Sequence, residues 1–473
     1  MAPTIRQLVT SLTGSANQII QIFFVITTSY IGCGSSPTAA PDAPVDASRP
    51  PSCPEIPHQQ VVHRGDLTKD TTETWRANEG IHVVDSPRNI FGALVIEPCA
   101  QVRLGPNVSL SLRETGTLRA GAPDGGMVVF DELEVSRPWG AISTVYGRKM
   151  QFTNVVLRNG GNADANWDGV LNFERSQVDG EAPAPDLHVD NVRIENSATH
   201  GLDLQGNTGF DDTSRALTIT GSKKSAMVIG AKAIATIPEG SYTGNTRNWF
   251  ELDQQAQIID RNTVWRDRGI SIAVMFGELR IRGRSGVAVL TLEPGVTLQM
   301  QSAAAGSVSR VVVGDSTTDT VANGGLAVEG SAEKPVTFRG IGRKNDWAGI
   351  HFIGAIDPRS HFQRAVIEDT GADDATTGSE CIGGLSAPSP ADVGSGGLRF
   401  VTNNKQVALR SDFFQNSTIR RSGSNGILPD FHNANAVDFC TTNTFEDIDV
   451  CNQTPFRNAD ETCPPSPVVC SCE

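Results

Sequence analysis

Asp168, His200, Asp203, Asp211 and Asp212 lie near one another in the sequence, beside short glycine-led apolar segments, and His351 and Arg399 stand in similar settings further on. Hydrolysis of a glycosidic bond needs two carboxyl groups facing that bond. Asp168, Asp203, Asp211 and Asp212 could supply them. Elimination from an acidic polysaccharide needs instead a basic Arg or Lys beside a carboxylate-bound cation. Calcium would therefore enter only for a lyase; otherwise no cofactor is expected, and no metal site is assigned from the residues.

These side chains need a scaffold, and its period can be read in the chain. Val155-Val156-Leu157, Val192-Arg193-Ile194 and Leu217-Thr218-Ile219 alternate with period two and recur after 37 and then 25 residues. Gly169-Val170-Leu171-Asn172-Phe173 and Gly201-Leu202-Asp203-Leu204 form a second series, 32 apart. Period-two alternation puts apolar residues on one face and polar ones on the other. A coil of three short strands takes about twenty to thirty residues, and each coil buries its apolar face only against its neighbours. On this reading Asn172 and Asp203, with His351 and Arg399, occupy the outward positions of one glycine-led strand series. His200 and Asp168 stand at strand entrances, and Asp211-Asp212 follow in a loop. Exposed polar residues at such positions are most often only solvated.

Four landmarks recur in the same order. Thr74-Trp75-Arg76 matches Val264-Trp265-Arg266, and Leu94-Val95-Ile96-Glu97-Pro98 matches Leu290-Thr291-Leu292-Glu293-Pro294. Trp139-Gly140-Ala141-Ile142 matches Trp347-Ala348-Gly349-Ile350, and Asn191-Val192-Arg193-Ile194 matches Asn416-Ser417-Thr418-Ile419. The offset grows from 190 at Trp265 through 196 at Glu293 and 208 at Trp347 to 225 at Asn416. A constant order with widening gaps is what duplication followed by loop insertion leaves behind. The expected architecture is an all-β, right-handed parallel β-helix, internally duplicated, with residues 56–260 as its first half and 261–446 as its second.

Composition agrees. Glycine numbers 47 and aromatics make up only 6%, too few large side chains for several separate cores. A net charge of −14 offers no basic stripe for nucleic acid.

The segments Thr291-Leu292-Glu293-Pro294-Gly295-Val296, Gly325-Leu326-Ala327-Val328-Glu329-Gly330-Ser331-Ala332-Glu333-Lys334-Pro335-Val336-Thr337-Phe338 and Asp346-Trp347-Ala348-Gly349-Ile350 resemble exported bacterial β-helix proteins of the pectin-lyase-like superfamily. The resemblance covers about residues 60–450 and implies the fold, not a chemistry, because that superfamily includes lyases, hydrolases and adhesins. Polygalacturonases of this fold carry carboxylate motifs before a Gly-His-Gly and an Arg-Ile-Lys. Here His200-Gly201 precedes Asp211-Asp212, Thr199 replaces the first glycine, and no Arg-Ile-Lys occurs. The Trp-Ile-Asp-His signature of pectate lyases is also missing. Trp347 is expected to pack at a corner.

Residues 1–32 read as an export signal, with Arg6 the sole charge before Asp42 and an apolar core from Ile19 to Ile31. Ile31-Gly32-Cys33 resembles the lipobox of bacterial lipoproteins, with Tyr30 where leucine is usual, and implies lipidation of Cys33. Residues 33–55 form a Pro/Ala/Ser-rich tether. Eight cysteines remain: Cys53, Cys99, Cys381, Cys440, Cys451, Cys463, Cys470 and Cys472. An even number in an exported chain suggests disulfides, with Cys53 to Cys99 a plausible staple and residues 447–473 a cysteine-rich C-terminal cap. Residues 53–75 are expected to cover the other end. The leading functional expectation is a monomeric lipoprotein of the bacterial envelope (outer membrane or cell surface), anchored at Cys33 and binding a polysaccharide or envelope component without catalysis. The alternative is a polysaccharide lyase or glycoside hydrolase acting on an acidic polysaccharide in a groove on the flank.

Overall fold

The computed structural model describes residues 52–145, 149–161, 168–174, 181–254, 257–275, 277–301, 308–315, 321–372, 396–401, 409–430, 437–456 and 470–471. Cys33, Cys381, Cys463 and Cys472, with the signal and most of the tether, lie outside them.

Strands dominate the described residues, and every pairing between named strands is parallel. They stack into sheets of 12, 13, 6 and 5 strands in which successive neighbours come from successive passes of the chain, consistent with a parallel β-helix or solenoid. Two short 3₁₀ turns, Ala77–Glu79 and Ala231–Thr236, are the helical segments described, and no described helix is long and apolar enough to cross a membrane.

Register explains the core. In the 13-stranded sheet Leu110, Ile142, Leu171, Leu202, Met227, Phe250, Ile272, Leu298, Phe338, Ile367 and Ile419 follow one another rung by rung, and all are buried. Each such side chain contributes roughly 1.5–3 kcal/mol of hydrophobic burial. The first periodic series holds as well: Val155, Val192 and Leu217 are in register, as are Leu157, Ile194 and Ile219. In the second series the rung is 31 residues rather than 32, because His200, not Gly201, pairs with Gly169.

Single residues make the corners. Within Met150–Arg158, Met150–Phe152 pair with Leu118–Ala120 while Val155–Leu157 pair with Val128–Phe130. Between them Asn154 adopts φ 55, which turns the strand from one stack to the next. Asn191 repeats the corner one rung on with φ 54 and donates Nδ2 to the Oδ1 of Asn154 at 2.7 Å. Asparagine tolerates this left-handed conformation better than most residues. Asn416 (φ 51) does the same in the later part of the chain.

The landmarks occupy matching local geometry. Trp75 pairs with Ile96, and Trp265 with Leu292. The ion pair Arg76–Glu97 at 3.3 Å has its counterpart in Arg266–Glu293 at 3.4 Å. Trp139 Nε1 donates to the Arg158 carbonyl and Trp347 Nε1 to the Glu368 carbonyl, both at 2.8 Å. Both indoles are fully buried, so Trp347 is a packing residue. Ser197 Oγ donates to the His200 carbonyl at 2.6 Å, as Ser422 Oγ does to the Asn425 carbonyl at 3.0 Å.

The ends differ from expectation in one respect. Residues 60–75 do not cover the solenoid; they form its first coil. Gln60–Val62 pair with Ile81–Val83, Leu67 bridges Ile90, and Thr72–Trp75 pair with Ala93–Ile96. The open end is instead filled by polar side chains at inward positions: His82 and Arg88 stand where the next rung has Val102 and Leu110. Cys53 is bonded to Cys99 with 5.4 Å between Cα atoms, and Cys451 to Cys470 with the same separation. Cys440 is also disulfide-bonded.

Candidate functional site

Alternation fixes the direction of each side chain on the His200–Leu204 strand. Leu202 and Leu204 are fully buried in the core, so Asp203 between them leaves the opposite face. Its row on that face runs Ser111, Ser143, Asn172, Asp203, Val228, Glu251. The early part is a polar ladder, with Ser111 Oγ 3.0 Å from Ser143 Oγ and Asn172 Nδ2 donating to Asp203 Oδ2 at 3.0 Å. Gln205 Nε2 donates to the same oxygen at 3.0 Å. The other oxygen, Oδ1, is buried and has no hydrogen-bond partner among the described residues.

Asp168, His200, Asp203, Gln205, Glu251 and Asp253 line one cleft of about 300 Å³, closed by Val228, Leu252 and Gln254. Three of the residues singled out in the sequence, Asp168, His200 and Asp203, therefore meet. Three more, Gln205, Glu251 and Asp253, escaped it. Their signal was present: Phe250-Glu251-Leu252-Asp253 continues the alternation of Leu202-Asp203-Leu204-Gln205 two rungs later, a distance of roughly 10 Å.

The electrostatics of the cleft separate these groups. Burial pushes the Asp203 carboxyl up to about 7, with the nearby charges of Asp253 and Asp168 adding to the effect against its hydrogen bonds from Gln205 and Asn172. Burial also raises Glu251, opposed by Arg247. Asp168, half-exposed, accepts from Lys224 Nζ at 2.9 Å, and Asp253 Oδ2 accepts the Gly206 N–H at 2.8 Å. Burial, with Lys224, lowers His200 to about 4, and its Nδ1 lies 2.5 Å from Ser225 Oγ. At neutral pH this histidine is therefore an uncharged, hydrogen-bonded wall of the cleft. The cleft thus holds a carboxyl that keeps a proton near neutrality beside carboxylates fixed by donors, the pairing used for general acid and base work.

The remaining candidates lie elsewhere. Asp211 sits 3.0 Å from His188 Nδ1 and accepts from Thr213 Oγ1 and Ser214 Oγ at 3.0 and 2.9 Å, beside the 12-stranded sheet. Burial would raise its carboxyl, but these hydrogen bonds, His188 first, hold it below the usual range. Asp212 is an exposed loop residue. His351 and Arg399 are paired on adjacent rungs of the six-stranded sheet, away from the row of Asn172 and Asp203. The expectation of one outward row is therefore corrected to two rows on two sheets. The cause is a hand-over: Arg247–Leu252 is followed in the 13-stranded sheet by Ser271–Val274, so later strands join a different stack. Nor are these positions solvated: Asn172, Asp203, His351 and Arg399 are all buried. Burial, and then the charge of Arg399, lowers His351 to about 3.

A second cleft of about 310 Å³ is lined by Asp260, Arg282, Arg284, Asp315 and Asn323. Its Asp315 is already held by Arg282 at 2.8 Å and Asn323 at 2.6 Å. Among the described residues no group of three His, Cys, Asp or Glu side chains converges closely enough to hold a metal ion.

At the N-terminal mouth, Glu73 gathers His63 Nδ1 at 2.8 Å, Trp75 Nε1 at 2.7 Å and Arg88 at 2.5 Å. His63 Nε2 lies 2.9 Å from His82 Nδ1, and the His63 ring stacks on Trp75 at 4.3 Å. This cluster too went unseen in the sequence. Its members are scattered over the first two coils at no regular spacing.

Comparison with protein-family models, curated proteins and solved structures finds no match for the chain.

Proposed function

We propose that the cleft around Asp203 is the active site of a glycoside hydrolase carried on the flank of a right-handed parallel β-helix. The convergence of Asp168, Asp203, Glu251 and Asp253 on one cleft carries this reading. Asp203, proton-bearing near neutrality, would protonate the departing glycosidic oxygen through Oδ1. Asp168, held by Lys224 Nζ, would activate water or attack the anomeric carbon. Elimination is less well supported, since it calls for a base beside a bound cation and the lysine at the cleft is already paired with Asp168.

Right-handedness is favoured because parallel crossover connections take that hand in about 98% of cases. Duplication is supported by the recurring Arg–Glu ion pair and indole hydrogen bonds. With the lipobox-like Cys33 and the tether, the reading extends to an exported lipoprotein of the bacterial envelope within the pectin-lyase-like superfamily. In cells fed a fatty-acid analogue, label is expected on the wild-type chain and absent from Cys33→Ala; label persisting in the variant would refute the anchor.

The activity is tested by incubating the full chain with neutral, amino and uronate polysaccharides and following new reducing ends. Hydrolysis of at least one is expected, falling by about a hundredfold or more in Asp203→Asn, the usual effect of losing a general acid. Binding without hydrolysis of any member would overturn this reading in favour of a non-catalytic glycan binder. Unsaturated products would overturn it in favour of a lyase.

A further inference from the structure

We propose that the cleft selects glycans carrying free amino groups, with the ammonium of a hexosamine unit seated against Glu251 and Asp253 while Asp203 meets the glycosidic oxygen. This rests on the hydrolase reading and names its substrate class, in place of the acidic polysaccharide expected from the sequence.

Charge is the first reason. Of the four carboxyl groups that line the cleft, Asp203 keeps its proton near neutrality and Asp168 is paired with Lys224, so Glu251 and Asp253 set the charge, and the one histidine among the walls is uncharged. Lys224 stands by but is engaged with Asp168 at 2.9 Å. Glu251 Oε2 forms only a long ion pair with Arg247 at 3.7 Å and has no hydrogen-bond partner among the described residues. The chain as a whole carries −14. A uronate entering this cleft would meet like charge in a partly desolvated setting, where repulsion is screened less than in water. An ammonium would meet opposite charge.

The second reason is independent of charge and points to a ligand. Asp203 is only 3% exposed and lines the cleft, yet Oδ1 has no hydrogen-bond partner among the described residues. A buried polar atom left without a partner costs about 1–3 kcal/mol, so it calls for a water or a ligand group to satisfy it. Its sister oxygen is fixed by Asn172 and Gln205 at 3.0 Å each, which holds the carboxyl still with Oδ1 free for that contact.

Specificity then has a defined source. N-acetylation of the sugar removes the positive charge and adds bulk; a neutral glucan lacks the ammonium; a polyuronate replaces it with the wrong sign. Each should bind less well, and the difference should depend on Glu251 and Asp253 rather than on the proton donor.

The test is calorimetric titration of the full chain at mildly acidic pH with four oligosaccharides of equal length: glucosamine, N-acetylglucosamine, glucose and galacturonate. Glucosamine oligomers are expected to bind about tenfold tighter than the neutral ones, the equivalent of one net charge interaction. That margin should shrink toward parity in Glu251→Gln and Asp253→Asn, with neutral oligomers binding both variants as they bind wild type. Equal or tighter binding of neutral or uronate oligomers would overturn the substrate class while leaving the hydrolase reading intact if they are cleaved. A preference for glucosamine unchanged in both variants would also overturn it. Absence of binding and cleavage across all four would overturn both readings together.

Discussion

Asp203→Asn is expected to make the protein more stable at about pH 8 even as it removes activity. Burial, with the charges of Asp253 and Asp168, lifts this carboxyl from 3.8 to about 7 in the folded chain. Between those values the folded state keeps a proton that the unfolded chain has released. Stability therefore falls as pH rises through that window, and the full cost is present above it. A shift of about three units corresponds to up to about 4 kcal/mol. An asparagine can still accept from Asn172 and Gln205 without carrying the charge. The gain should thus be largest above about pH 7 and vanish below about pH 3, where the carboxyl is neutral in both the folded and the unfolded chain. Urea unfolding across pH checks this. A stability difference that does not change with pH would show that Asp203 is not the group under strain. Loss of function with gain of stability is the usual mark of a site shaped for chemistry rather than for folding.

The second large effect lies at the other end of the core. Arg88→Ala is expected to cost about 3 kcal/mol, because breaking a buried ion pair leaves the partner uncompensated. Arg88 is 6% exposed and bonds the Glu73 carboxylate through two nitrogens and the Gly65 carbonyl at 2.7 Å. Burial by itself would raise Glu73, but hydrogen bonds from His63, Arg88 and Trp75 hold it well below the usual carboxylate range. A lowered carboxyl stabilises the fold above its unfolded value, and that contribution is lost as pH falls through the folded one. The wild-type mouth should therefore stay closed far into acid, whereas Arg88→Ala should open earlier as pH falls. Hydrogen exchange in residues 60–96 would report the opening. An Arg88→Ala chain with unchanged exchange there and an unchanged urea midpoint would remove the cluster from the list of structural supports.

The sequence and the structure agree where a property depends only on local alternation. Val155, Val192 and Leu217 were aligned correctly because their rung repeats the same inward–outward pattern, and Cys53 finds Cys99 because the first coil brings those ends together. Alternation does not say which stack a strand joins. The hand-over at Arg247–Leu252 and Ser271–Val274 leaves the period intact while moving His351 and Arg399 to another sheet, so one expected row became two. Glu251 and Asp253 reach Asp203 before that hand-over, through two further rungs of the same stack. The N-terminal cluster was illegible for a related reason. His82 and Arg88 occupy inward positions that the pattern reserves for apolar residues, and only their contacts with His63, Glu73 and Trp75 explain them. Polar residues at positions where alternation asks for apolar ones mark the places where a simple pattern reading fails and a specific network takes over.

The account depends most on one proton. Carbon-13 carboxyl shifts of the full chain labelled at aspartate, assigned to Asp203 by comparison with Asp203→Asn, would follow it directly. The account requires a midpoint of about 7 for this group, moving on addition of a bound oligosaccharide. A midpoint at the ordinary aspartate value, unaffected by any saccharide, would contradict it and leave the cleft without a general acid.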